Sequence, residues 1–119
     1  MKKSSQKLPL VYSCSGCSSS AQMANYIALK LHKEQCAQMS CIAGIGGKVR
    51  PLVDLAKSNS DIVALDGCPL HCVKKTLQTI EVTPKLHFTL SEFGVKKCEG
   101  EEFDLVQAQE IYKKIISEF

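Results

Sequence analysis

Short apolar runs alternate along the chain with segments whose apolar residues recur at helical spacing. Apolar runs that contain β-branched and aromatic residues predict strands, whereas apolar spacings of three and four predict amphipathic helices. The predicted strands cover residues 8–13, 39–43, 61–66 and 83–90. The predicted helices cover about residues 18–35, 49–56, 69–77 and 104–118, and residues 91–103 are predicted to form a loop.

This order of strands and helices predicts a parallel sheet that is covered by helices on both faces. The expected fold is a small three-layer α/β/α architecture of the Rossmann or flavodoxin-like type, with a mostly parallel four-stranded sheet. The chain has 119 residues, and 45% of them are hydrophobic, which suits one ordinary core. We therefore expect a single domain over residues 1–119.

The charged residues argue against two classes of partner. Lys and Arg number 15 against 12 Asp and Glu, and the basic residues are scattered in pairs, so nucleic-acid binding receives little support. No run approaches the roughly 20 apolar residues that span a bilayer. The first ten residues contain three lysines but lack the apolar region of an export signal. The sequence predicts a cytoplasmic protein with no membrane partner, and it leaves protein partners open.

The cysteine content points to chemistry at sulfur. Seven cysteines are an odd number, and in a reducing compartment they favour metal or redox chemistry over disulfides. The seven are Cys14, Cys17, Cys36, Cys41, Cys68, Cys72 and Cys98.

Several of these cysteines fall at the ends of predicted strands. Cys14 ends the first strand, Cys41 lies at or just before the end of the second, and Cys68 ends the third. Ligands of parallel sheets bind at the carboxyl ends of the strands, beside the point where the strand order reverses. Cys68, at the predicted N-cap of the third helix, shares a helix face with Cys72 and would feel the helix dipole. Zinc prefers four thiolates, or three ligands and an open position, so these four cysteines are the predicted ligands of Zn²⁺.

The spacing also leaves a redox interpretation open. Cys14-x-x-Cys17 suits a zinc knuckle and a thioredoxin-like pair equally well, so Cys17 is a further candidate ligand. The alternative function is a thiol–disulfide redox or sulfur-transfer protein that uses Cys14 and Cys17, with Cys68 activated at a helix terminus, and enzymatic activity is left open. Cys36 and Cys98 are expected to be small core residues. An iron–sulfur cluster also uses four thiolates, but the spacing matches no ferredoxin pattern.

Three other features near these cysteines can each be interpreted either as part of a functional site or as an ordinary structural feature. The glycine-rich run at 44–47, followed by Lys48, lacks the full Walker spacing and predicts a tight turn. His71 is either a fifth ligand or an exposed residue at a helix start. Asp66 either orients a ligand or simply ends its strand.

Three stretches of the sequence resemble the DGC-domain family, which is named after its Asp-Gly-Cys motif. They are Cys14-Ser15-Gly16, Cys41-Ile42-Ala43-Gly44-Ile45-Gly46-Gly47 and Asp66-Gly67-Cys68-Pro69-Leu70-His71-Cys72, and the resemblance spans about residues 8–97. That family is prokaryotic and is regarded as zinc-binding because of four recurrent cysteines, which match positions 14, 41, 68 and 72. The resemblance implies the fold and the four cysteines of a zinc site, and it implies no activity. Our own hypothesis is that the metal site is structural or serves metal sensing, storage or transfer. Cys17 is additional to the four and offers Cys14 a rival partner.

Overall fold

The computed structural model describes residues 7–58 and 60–119. Its four named strands form one sheet in the order β2-β1-β3-β4, and every neighbouring pair is parallel, which confirms the predicted α/β fold. The strands are β1 (Leu10–Ser13), β2 (Gln38–Met39), β3 (Ile62–Asp66) and β4 (Leu86–Thr89). The helices are α1 (Ser19–Lys33), α2 (Ile42–Gly46), α3 (Arg50–Ala56), α4 (Cys72–Gln78) and α5 (Leu105–Ile116), with a 3₁₀ turn at Leu90–Phe93.

Successive residues of the central strands enter two different cores, because side chains alternate across a strand. Val11 and Leu65 pack with residues of α1 and α5 on one face of the sheet. Tyr12 and Ala64 pack on the other face with residues of α2, α3 and α4. The structure thus has the three layers that the alternation predicts. Among the described residues, no helix is long and apolar enough to cross a membrane.

The second predicted strand is largely wrong. β2 ends at Met39, and residues 42–46, which include part of the predicted strand, form α2 with Cys41 as its N-cap residue. The reason is that a short apolar run such as Ile42 to Ile45 fits a buried helical turn as well as a strand. Ile45 of α2 is fully buried in the core beneath α4. Cys41 therefore lies two residues beyond the strand.

The start of the third predicted helix is also wrong. α4 begins at Cys72, and its N-cap residue, His71, has left-handed backbone angles of φ 56° and ψ 48°. A left-handed residue interrupts a right-handed helix, so the segment that contains Cys68 is a loop. Cys68 is therefore not an N-cap residue, and it does not share a helix face with Cys72.

The segment after β4 is more ordered than the predicted loop. It opens with the 3₁₀ turn, and Val95 is buried in the core between α1 and α5. Further along, Glu99 forms an isolated antiparallel bridge with Ser18, just before α1. These contacts carry residues 95–100 back towards the end of α1 that faces the carboxyl ends of the strands.

Candidate metal centre

The sheet has its topological switch point between β1 and β3, because the chain passes from β1 to β2 on one side and to β3 on the other. Cys14 directly follows β1, and its N–H donates to the carbonyl of Leu65 in β3 over 3.1 Å. Cys68 lies two residues beyond β3, and Cys41 lies two residues beyond the edge strand β2. The three cysteines thus lie beyond the carboxyl ends of three adjacent strands.

The thiol of Cys14 lies at the centre of this edge. Its Sγ accepts a hydrogen bond from the N–H of Gly67 over 3.2 Å. The pKa of Cys14 is raised to about 11, chiefly by burial; the Gly67 hydrogen bond opposes the rise, and the negative charges of Asp66, Cys72 and Cys68 add to it. Cys68 lies in the loop that donates this hydrogen bond, and Cys72 begins the helix after the loop.

The raised pKa of Cys14 predicts slow alkylation in the folded, metal-free protein. Because the pKa rises from 9.0 to about 11, the thiolate fraction near neutral pH falls roughly 100-fold. Pulses of iodoacetamide over a pH series, followed by peptide mass spectrometry, should give a midpoint for Cys14 near pH 11. The control is the chain unfolded in urea, in which the alkylation of Cys14 should have its midpoint near the ordinary thiol pKa of 9.0. The same midpoint in the folded and unfolded protein would contradict the burial described here.

Gly67 allows the loop after β3 to touch the first turn of α1. A β-carbon at Gly67 would lie 2.7 Å from the carbonyl carbon of Ser20 and 2.9 Å from the backbone nitrogen of Ala21. These are backbone atoms that cannot swing aside, so no larger residue fits without a shift of the loop or the helix. The glycine of the Asp-Gly-Cys motif thus sets the approach of its cysteine to α1.

Asp66 holds the other end of the same loop. Its carboxylate is almost fully buried and accepts hydrogen bonds from the N–H groups of Val73 (2.8 Å) and Lys74 (3.3 Å) at the start of α4. His87 of β4 lies 2.8 Å from the same carboxylate through Nε2. Asp66 therefore does more than end β3: it ties α4 and β4 together across the loop that bears Cys68.

The histidines near the loop form a small cluster of their own. His71 Nε2 lies 3.2 Å from Thr89 Oγ1, and the rings of His71 and His87 meet edge to face with centroids 4.8 Å apart. The interpretation of His71 as a fifth ligand remains a prediction. His87 was not anticipated from the sequence, where a histidine in an apolar strand gives no sign of its distant carboxylate partner.

The segment that carries Cys41 continues alongside β1, because the N–H of Ser40 donates to the carbonyl of Val11 over 3.0 Å. Tyr12 of β1 is fully buried. Burial raises the pKa of Tyr12, the side chain of Ser40 opposes this rise, and the negative charge of Cys41 adds to it.

Lys97 is a contact of the site that the sequence did not reveal. Its Nζ lies 3.5 Å from Cys68 Sγ, across 29 residues of sequence. In the sequence Lys97 is one member of a scattered basic pair, and no local pattern links it to a cysteine.

The remaining cysteines lie elsewhere or at the margin of this edge. Cys17 is exposed, and a β-carbon added at Gly100 would lie 4.0 Å from the sulfur of Cys17. Cys36 and Cys98 are half-buried, so the expectation of core positions is only partly met. Cys36 packs on the α1–α5 core, 4.0 Å from the hydroxyl of Tyr112. All seven cysteines are free thiols.

The donor chemistry of the edge fits a soft divalent ion such as Zn²⁺, because thiolates are preferred zinc ligands. Thiolates bound to metal also need hydrogen-bond donors around them, and Gly67 offers an N–H to Cys14 while Lys97 offers an ammonium to Cys68. Within residues 7–58 and 60–119, however, no three Cys, His, Asp or Glu side chains are arranged to hold a metal ion. The donor types fit, and the sulfurs are not gathered at bonding distance.

Fold and site together define a small α/β protein with a thiol-rich edge at its switch point. The chain belongs to the DGC domain family, whose profile matches residues 10–115, so the family extends past residue 97 and includes α5. It is similar to the "Anaerobic and virulence modulator AnvM" of Pseudomonas aeruginosa strain PAO1, with 55% identity over 108 residues. This alignment covers 91% of the chain and 82% of the relative. No solved structure matches the chain.

Proposed function

We propose that this protein is a cysteine-thiolate metal-binding protein that holds Zn²⁺ through Cys14, Cys41, Cys68 and Cys72. The observation that carries the proposal is the placement of Cys14, Cys41 and Cys68 beyond the carboxyl ends of three adjacent strands, with Cys72 following Cys68, beside the switch point of the sheet. Cys41 is the fourth candidate because it lies beyond the adjacent strand, and Cys17 is the candidate that could replace one of the four.

A bound divalent cation would remove the electrostatic repulsion that opposes ionisation of these thiols. In the metal-free protein, burial and negative neighbours oppose ionisation of Cys14. A bound cation favours the thiolate form of each ligand, so zinc binding would release protons and convert repulsion into attraction. Cys41 and Cys72 are exposed and Cys68 is half-buried, so core packing does not fix their χ1 rotamers.

The redox alternative is less well supported by the same geometry. An attacking thiol works best when its pKa is near the ambient pH, and a pKa of about 11 leaves Cys14 almost entirely protonated near neutrality. A cycle that begins with attack by Cys14 would therefore start from a poorly ionised thiol, whereas Cys17 is exposed. We propose no catalytic role.

The cellular use that we propose is metal sensing, with storage and transfer as alternatives, in the reducing environment of the cytoplasm. The related P. aeruginosa protein is called an anaerobic and virulence modulator, and this name favours a regulatory use over storage. Protein partners that would receive such a signal are not indicated by any residue described above.

Cobalt(II) titration of the reduced, metal-free protein tests the site directly. A thiolate site should give sulfur-to-cobalt charge-transfer absorption and the visible bands of a tetrahedral ion, with a plateau at about one equivalent. Protein that has first been loaded with zinc is the control and should give neither. A weak octahedral spectrum without charge transfer would refute thiolate coordination.

A further inference from the structure

The two edge strands of the sheet differ in length. β2 has two residues, whereas β4 has four. Natural proteins protect long edge strands with charged side chains, prolines or bulges, because the unpaired N–H and C=O groups of an edge attract a further strand. The sequence of β4 is Leu-His-Phe-Thr, without lysine, acidic residue or proline, and it pairs with β3 in unbroken register. β4 is therefore the edge that is open to pairing.

Alternate residues of β4 direct their backbone groups away from β3. The N–H of Lys85 donates to the carbonyl of the first residue of β3 over 2.8 Å. Because every second residue of a strand bonds to the same neighbour, His87 and Thr89 also face β3. The N–H and C=O groups of Leu86 and Phe88 consequently point to the free edge, beyond which the structure describes no further strand of the sheet.

The side chains along this edge are apolar and only partly covered. Leu86 and Phe88 are half-buried at the margin of the α1–α5 core, and the rings of Phe88 and Phe93 have centroids 6.4 Å apart. Phe119 is 46% exposed and lines one open cavity together with Leu86. A strand added at this edge would therefore make apolar contacts as well as backbone hydrogen bonds.

Charged residues at the two ends of β4 favour one partner and one direction. Lys85 immediately precedes the strand, and Glu92 follows it in the 3₁₀ turn; both side chains are exposed. A second β4 in antiparallel orientation would place Lys85 of each chain near Glu92 of the other, whereas a parallel one would place like charges together. Lys85 also lies 3.3 Å from Asp61, but this pair is exposed on both sides and contributes little.

We propose that β4 pairs antiparallel with β4 of a second copy of this chain, which joins two four-stranded sheets into one sheet of eight strands in a two-fold symmetric dimer. The outward backbone groups of Leu86 and Phe88 form the hydrogen bonds, and two Lys85–Glu92 pairs set the direction. The interface contains no metal, so this inference goes beyond the proposed function and is tested separately from it.

Sedimentation velocity of the reduced 119-residue chain, with a chelator present, measures self-association without metal bridges or disulfides. At micromolar concentrations the wild type should approach twice the monomer mass of 13.1 kDa. Lys85→Glu or Glu92→Lys alone should raise the dissociation constant about 10-fold, because symmetry turns two attractive pairs into two repulsive ones. The double variant restores opposite charges and should lie within about threefold of wild type. Glu110→Lys, the same charge change on the exposed face of α5, is the matched control and should have no effect.

Amide exchange of single N–H groups locates the contact. The N–H groups of Leu86 and Phe88 should exchange slowly at high protein concentration and rapidly at low concentration, whereas that of His87, which faces β3, should stay protected at both. Protection of Leu86 and Phe88 at every concentration would mean that the same chain covers the edge, and it would overturn the proposal. A monomer at every concentration would also overturn it, as would a dimer that is insensitive to the single charge reversals or that the double variant does not restore.

Discussion

Replacing Cys68 and Cys72 together by serine is expected to reduce zinc from about one ion per chain to background. Serine hydroxyls do not ionise near neutral pH and are poor ligands for a soft cation, so two of the four donors would be lost. Cys68 lies in the loop between β3 and α4 and Cys72 begins α4, and Gly67 of the same loop donates a hydrogen bond to the sulfur of Cys14. The measurement is elemental analysis of protein purified under reducing conditions.

The matched control for this variant is Cys36→Ser. Cys36 is also a free thiol, but it packs on the α1–α5 core near Tyr112 and is not one of the cysteines at the strand ends. Its replacement should leave the zinc content unchanged. Full zinc occupancy in the Cys68→Ser, Cys72→Ser double variant would mean that zinc binds elsewhere.

Gly67→Ala is expected to destabilise the metal-free protein by about 3 kcal/mol, near the upper end for overpacking. The added β-carbon would meet backbone atoms of Ser20 and Ala21 at under 3 Å, so either the loop or the start of α1 must move. The same loop also supplies the N–H of Gly67, which donates a hydrogen bond to the sulfur of Cys14. The free energy of unfolding from urea denaturation measures the effect without any contribution from zinc.

Gly46→Ala provides a matched glycine control within α2. The nearest heavy atom to an added β-carbon there is the methyl group of Thr76 at 3.8 Å, an ordinary contact. Because alanine is the better helix former, this variant should be neutral or stabilised by up to about 1 kcal/mol. Equal stabilities of the two variants would show that the loop is not pressed against α1 as described.

The sequence predicts the positions of Cys14 and Cys68 well because both follow strands of the sheet interior. Such strands are continuous apolar runs whose ends are sharp, here at Ser13 and Asp66. β2 has only two residues, and the apolar residues after it belong to a helix, so the place of Cys41 was predicted less well. A short apolar run does not by itself show whether it forms a strand or a helical turn.

The errors around α4 have a tertiary origin. A proline after Cys68 is typical of a helix start, and the sequence therefore favoured Cys68 as the N-cap residue. In the structure, Asp66 satisfies the first N–H groups of α4 from the end of β3, and left-handed His71 separates Pro69 from the helix. A helix cap that is supplied by a residue outside the loop leaves no local sequence pattern. The contact of Lys97 with Cys68 leaves none either, because 29 residues separate the two in sequence.

Metal content per chain is the most direct test of the central claim. Protein purified anaerobically is analysed for its elements, and free thiols are counted before and after chelation. The account predicts about one zinc per chain, with roughly four further thiols becoming free when zinc is removed, of which Cys14 reacts more slowly than the other three. Absence of metal, together with two thiols that appear only after a reductant is added, would contradict the account and favour a redox cycle of Cys14 and Cys17.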